Sequence, residues 1–266
     1  MKIAIVGCGN MGMAFARSFI QYNLVKKEEL LLIEKSKERS ETLKASKEGI
    51  VVDTINEQIG DYDLVILSVK PQDFSMVAAE LRTVLKEPQI VLSIMAGINI
   101  DRIQQELAHK MVVRAMPNTP AMLGMGITGF SADESIGFSK LQKIENLINA
   151  TGRSVYIEDE QMLDAVTALS GSGPAYFYYV VKHMIEAGKQ MGFEDSMAQL
   201  LVKQTMLGAY HLINSAEMNI DELIKAVASK GGTTEAALKT FGESGVDTGL
   251  VAGILNAEKR AKELSK

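Results

Sequence analysis

Two short runs in this chain can hold an anion on backbone amides alone. The first is Gly7-Cys8-Gly9-Asn10-Met11-Gly12, entered directly from the apolar run Ile3-Ala4-Ile5-Val6 and followed by a helical pattern. A strand, a glycine turn and a helix in that order suit a dinucleotide pyrophosphate. Gly7 permits the tight turn, Gly9 admits close approach of the backbone to the phosphates, and Gly12 lets helix and strand meet. The helix start aims unpaired N–H groups at the anion. The second run is Ser229-Lys230-Gly231-Gly232-Thr233-Thr234, which leads into a helical stretch over 235–241. Its amides, with the two threonine hydroxyls, would make a neutral cradle for a carboxylate. The same residues also fit a plain helix cap closed by Thr233 or Thr234.

Glu34 lies about twenty residues beyond the glycine turn, where an acidic side chain binds the ribose 2′-hydroxyl of NAD. Lys35, Ser36 and Lys37 follow it at once, and two cations with a hydroxyl suit a 2′-phosphate instead. The two signals oppose each other. The balance favours NADPH, with NADH as the alternative.

Other chemistries lack their residues. Ser172 has Ser170 and Pro174 where a nucleophile elbow needs glycines. His109, His183 and His211 stand far apart without metal-ligand spacing, so no metal is expected and each reads as a surface or interface residue. The sole cysteine, Cys8, sits inside the glycine turn, which excludes an intrachain disulfide and reads as a small residue filling a tight space. β-Hydroxyacid dehydrogenases place a proton-relaying lysine and an asparagine beyond a similar glycine-rich turn, but Phe177 and Val181 occupy those places here. Hydride transfer to a C=N bond needs no such relay. A protonated imine accepts hydride without forming an alkoxide, so alignment is the main requirement.

The elements that must position these residues follow an alternating pattern. Apolar runs at 30–33, 50–52, 64–69, 90–94, 112–115, 127–130 and 155–157 are separated by helical stretches such as 73–85 and 101–107. This predicts an α/β fold with an N-terminal Rossmann-type, doubly wound, mostly parallel sheet. The texture changes near Glu158, and from there long amphipathic helices run to Lys266. The expected domains are therefore 1–157 for the dinucleotide and 158–266 as an all-helical domain for dimerisation and substrate binding. Tyr176, Tyr178 and Tyr179 suit a subunit interface or an internal core equally well. The net charge of −5 argues against a nucleic-acid partner. The uncharged stretch 165–181 is broken by Ser170-Gly171-Ser172-Gly173-Pro174, which argues against a membrane span. The opening lacks the form of a secretory signal, which points to the cytoplasm.

Six motifs in one order resemble the pyrroline-5-carboxylate reductase family. They are Gly7-Cys8-Gly9-Asn10-Met11-Gly12, Val69-Lys70-Pro71, Ser93-Ile94-Met95-Ala96-Gly97, Arg114-Ala115-Met116-Pro117-Asn118-Thr119-Pro120, Ser170-Gly171-Ser172-Gly173-Pro174-Ala175-Tyr176 and Gly231-Gly232-Thr233-Thr234. The resemblance implies reduction of the cyclic imine 1-pyrroline-5-carboxylate to L-proline by NAD(P)H. It implies that Val69, Lys70 and Pro71 border the ribose and adenine, and that Ala96, Gly97, Met116, Pro117 and Asn118 line the nicotinamide. Asn10 and Met11 belong to the pyrophosphate turn. Ser172, Glu217, Gly231, Gly232, Thr233 and Thr234 are implied on the substrate side, with Thr234 the hydroxyl nearest the ring nitrogen. The family implies a homodimer through the helical domain, with further assembly of dimers open. Two positions depart from the family pattern: Lys230 stands where proline is usual, and Glu34 where a neutral or polar residue is common. The alternatives are a reductase of another cyclic imine and a non-catalytic paralogue that senses the nucleotide.

Overall fold

The computed structural model describes every residue except Ala216 and Lys266. Eight strands form one sheet in the order β3-β2-β1-β4-β5-β6-β7-β8. They are β1 (Ile3–Val6), β2 (Leu30–Ile33), β3 (Ile50–Val52), β4 (Leu64–Leu67), β5 (Ile90–Ser93), β6 (Val112–Met116), β7 (Gly126–Ala132) and β8 (Gly152–Tyr156). All pairings are parallel except β6 with β7. The runs of β1, β2 and β4 are continuously apolar and buried because both faces of the sheet are covered there. Ile3, Ile5, Leu30, Leu32, Leu64 and Ile66 join Phe15 and Phe19 in one core. The alternating residues Ala4, Val6, Leu31, Ile33, Val65 and Leu67 join Phe74 and Leu81 in the other.

The chain winds outward from β1 in both directions, through β2 and β3 on one side and β4 to β6 on the other. This reversal opens a crevice at the carboxyl ends of β1 and β4, which is where open α/β sheets collect ligands. Register sets the ends level: Val6 pairs with both Ile33 and Leu67, Leu67 with Ser93, and Ser93 with Arg114. The segments that leave β1, β2, β4, β5 and β6 therefore lie side by side. Helices α1 (Asn10–Gln21), α2 (Lys37–Ser46), α3 (Phe74–Leu81), α4 (Ile100–Leu107) and α5 (Phe138–Asn149) make the crossovers.

After β8 the chain forms the short α6 (Leu163–Val166), a wider turn over Thr167–Gly171 and then α7 (Gly173–Gln190), α8 (Asp195–Ser215), α9 (Ile220–Val227), α10 (Thr233–Glu243) and α11 (Val246–Leu264). Two compact units result, one of residues 1–174 with 257–266 and one of residues 175–256. The second unit has almost no interior in the single chain. Ala198 and Val202 are buried, whereas Phe177, Tyr178, Leu200 and Tyr210 are each at least 60% exposed. No helix of the described residues is long and apolar enough to cross a membrane.

Candidate cofactor and substrate sites

The glycine turn has the geometry that a pyrophosphate requires. Gly7 adopts φ +92°, and a Cβ there would meet the Ser68 carbonyl oxygen at 2.7 Å. A Cβ on Gly12 would collide with the Gly7 carbonyl oxygen. Gly9 differs: a Cβ would meet nothing within 4 Å, so its face opens onto the crevice. Gly9 is also the N-cap of α1, with no side-chain cap and no acidic residue in the first turn. The amides of Asn10, Met11 and Gly12 precede the first intrahelical donor, since Met13 N–H is the one that reaches the Gly9 carbonyl, at 2.9 Å. Cys8 is buried against this turn and its thiol is pushed up to about 12, first by burial and then by the Glu34 carboxylate. It is inert packing.

A cavity of about 360 Å³ continues from the turn between the ends of β1, β2 and β4. Gly7, Gly9, Glu34, Lys35, Val69 and Lys70 line it, so the structure brings together most of the residues expected at the adenosine half. Pro71 opens the 3₁₀ turn beside it. Ser36 and Lys37 do not reach the cavity wall. Ser36 is the N-cap of α2, and Lys37 starts the helix on its exposed side. The cation that sequence reasoning missed is Arg39, which lines the cavity and places Nη2 3.5 Å from Asn10 Oδ1. The signal for it was the helix phase: with α2 starting at Lys37, the third residue of its first turn faces the cavity.

Glu34 lines the cavity and accepts from backbone amides, from Cys8 N–H at 3.3 Å and from Ser36 N–H at 2.9 Å. Its charge thereby braces the glycine turn. Lys35 lies 3.8 Å from Asp73, and Asp53 is held by Lys44 and Ser40. Hydrogen bonds from Ser40 and Lys44 keep the Asp53 carboxyl below the usual range. Arg39 and Lys70 remain as the cavity's cations outside any ion pair among the described residues. A larger cavity of about 770 Å³, lined by Tyr62, Gln89 and Lys143, opens at the amino ends of the strands, away from the glycine turn.

The segments expected at the nicotinamide follow β5 and β6. Ala96 is half-buried and Gly97, at φ +71°, is buried. Met116 ends β6, and its methyl group lies 2.7 Å from where a Cβ on Gly171 would stand. The Asn118 side chain is buried and used on both ends, accepting from Ile127 N–H at 3.0 Å and donating to the Ser170 carbonyl at 3.2 Å. That carbonyl lies in the Thr167–Gly171 turn, where Ser172 N–H reaches back five residues to the Thr167 carbonyl at 2.8 Å. Such widened turns release backbone groups for other partners. Ser172 is half-buried just past this turn.

In the second unit, Gly231 adopts φ +73° and Gly232 is the N-cap of α10 with no side-chain cap. A plain cap by Thr233 or Thr234 is thereby overturned, because both residues are already inside the helix. Glu235 accepts from Gly231 N–H at 2.6 Å and Gly232 N–H donates to the Ser229 carbonyl at 2.9 Å, which fixes the turn. The Thr233 and Thr234 amides lie at the helix start. Glu217 is exposed in the connection before α9. One histidine differs from expectation: His109 is buried, its Nε2 2.8 Å from the Gln89 carbonyl, because the α4 helix ends on a left-handed Ala108 that turns the ring inward.

Comparison with known proteins covers the whole chain. Residues 160–264 match the family described as pyrroline-5-carboxylate reductase dimerisation, and residues 2–97 match NADP oxidoreductase coenzyme F420-dependent. The pyrroline-5-carboxylate reductase of Pseudomonas aeruginosa is 36% identical over 100% of this chain and 97% of its own. Among solved structures, the Coxiella burnetii pyrroline-5-carboxylate reductase superposes with TM-score 0.88 at 31% identity, covering 100% of this chain and 98% of that one. The Plasmodium falciparum pyrroline carboxylate reductase, with NADP bound, gives TM-score 0.90 at 25% identity with the same coverage.

Proposed function

This chain belongs to the pyrroline-5-carboxylate reductase family, and we propose that it reduces 1-pyrroline-5-carboxylate to L-proline with NADPH, as a cytoplasmic homodimer joined through residues 158–266. NADPH supplies a hydride to the imine carbon, while the ring nitrogen carries the proton that makes the product amine. The observation that carries the reading is the open face of Gly9 at the start of α1, the one glycine of the turn whose Cβ position is clear of protein. That opening leaves the backbone at the start of α1 accessible to a pyrophosphate.

The chain's own work is placement. The amides of Asn10, Met11 and Gly12 hold the pyrophosphate at the positive end of α1. Arg39 and Lys70 take the 2′-phosphate, in place of the Ser36 and Lys37 side chains. Ala96, Gly97, Met116, Pro117 and Asn118 border the nicotinamide, and the Asn118 amide, fixed at both ends, keeps that wall rigid. The α10 start gives amides and the hydroxyls of Thr233 and Thr234 to the substrate carboxylate and ring nitrogen, with Ser172 and Glu217 at its margin.

Replacing Thr234 with Ala tests the substrate half. The expected result is a fall in kcat/KM for 1-pyrroline-5-carboxylate of about threefold to tenfold, the cost of one neutral hydrogen bond, with NADPH affinity unchanged. Full activity in that variant removes Thr234 from the site.

A further inference from the structure

The last residues described, Leu264 and Ser265, group with the first unit and close over the corner that follows β5. A Cβ on Gly97 would meet Leu264 Cβ and its carbonyl oxygen at 3.2 Å each. Gly97 is therefore capped by the end of α11, while its neighbour Ala96 stays half-exposed. The cap is tied down by polar contacts. Ser265 Oγ donates to Asp164 Oδ1 at 2.7 Å, and the Asn99 amide reaches the Ser265 carbonyl at 3.5 Å.

These contacts belong to a closed circuit. Asp164 Oδ1 also accepts from Arg114 Nη2 at 3.0 Å, and Arg114 Nη1 donates to Glu160 Oε1 at 3.1 Å. Glu160 Oε1 in turn accepts from Ile100 N–H at 2.8 Å, one residue after Asn99. Arg114 is 3% exposed. A buried guanidinium held by two carboxylates is a costly arrangement that a stable core does not need. Here it joins the 96–100 corner to β6 two residues before Met116, so both walls expected at the nicotinamide hang on one circuit.

We propose that Ser265 is a positioning residue for the nicotinamide half of the cofactor site, acting through Asp164 and Arg114 and through the Leu264 cap on Gly97. The inference rests on the assignment of Ala96–Gly97 and Met116–Asn118 to the nicotinamide. The adenosine half, assigned to Arg39 in α2 and Lys70 just past β4, lies outside the circuit. Loosening the circuit should therefore separate the two halves of the same ligand.

The test compares NADPH with 2′-phospho-ADP-ribose, which carries the adenosine half and the pyrophosphate but no nicotinamide. In the full-length protein, Ser265→Ala should weaken NADPH binding about threefold to tenfold, the range of one hydrogen bond lost. It should leave 2′-phospho-ADP-ribose affinity unchanged, and Ser265→Thr should restore NADPH binding. Asp164→Asn should show the same selective loss, more strongly. Equal weakening of both ligands, weakening of the fragment alone or no change in either overturns the proposal. Both readouts are binding, so they stand even if the protein fails to turn over 1-pyrroline-5-carboxylate, and that failure would count against the reaction alone.

Discussion

At the residue scale the choice of cofactor turns on where Glu34 and Arg39 send their charges. Glu34 is bonded to the Cys8 and Ser36 amides, whereas Arg39 reaches over the cavity with a single contact to Asn10. Arg39→Ala should raise KM for NADPH by about tenfold or more, the cost of about one charge-assisted hydrogen bond at roughly 1.5–3 kcal/mol, and leave KM for NADH unchanged. Steady-state rates with the two cofactors read this directly, and an equal effect on both removes Arg39 from the 2′-phosphate. Cys8 gives a second prediction. Its thiol is raised from 9.0 to about 12 by burial and by Glu34, so the folded protein keeps a proton that the unfolded chain loses. Any stability tied to that proton is full below 9 and falls as pH rises toward 12. At pH 8 the folded enzyme should resist alkylation by iodoacetamide, with labelling appearing only on unfolding. The place of Glu34 and the glycines beside the turn was legible because it depends on position along the chain, whereas the bonding of the Glu34 carboxylate to the Cys8 and Ser36 amides was not. Arg39 was not, because its role depends on the phase of a helix whose first residue sequence alone does not fix.

At the element scale the strands were legible and their directions were not all so. Continuous apolar runs mark the buried strands β1, β2 and β4, whereas β8 occupies Gly152–Tyr156 instead of the expected 155–157, because its polar, largely exposed edge carries little apolar signal. Nothing in the run over Gly126–Ala132 marks it as antiparallel to β6, since that depends on the short Thr119–Leu123 turn and the left-handed Gly124 that fold the chain back. The widened turn over Thr167–Gly171 was equally hidden, because the serine-glycine sequence reads as a break while the backbone continues through it. The glycine corner is where element geometry is strictest. A methyl group on Gly12 must push against the Gly7 carbonyl, so Gly12→Ala should cost about 1–3 kcal/mol, the usual range for overpacking. Urea denaturation measures it, and an unchanged midpoint would show that β1 and α1 can separate.

At the scale of the whole molecule, the second unit has many apolar side chains that its own chain does not cover. Phe177, Tyr178, Tyr179, Leu200, Tyr210, Phe241 and Leu255 are each more than half exposed. Patches of this extent on one chain mark an interface, and the region lies within the stretch that matches the dimerisation family. The thermal midpoint should therefore rise with protein concentration, and sedimentation at micromolar concentration should show a species of twice 28.9 kDa. A monomer with a concentration-independent midpoint contradicts this. Periodic apolar residues in α7 and α8 were visible in the sequence, but spacing alone does not say whether they meet their own chain or another. Exposure in the single chain shows that many of them do not pack against their own chain.

The central claim is that this scaffold passes hydride from NADPH to a cyclic imino acid. It is tested by adding 1-pyrroline-5-carboxylate to the purified protein with NADPH and following cofactor absorbance and proline together. Loss of NADPH should be matched one for one by L-proline. NADPH that binds and is not consumed would contradict it.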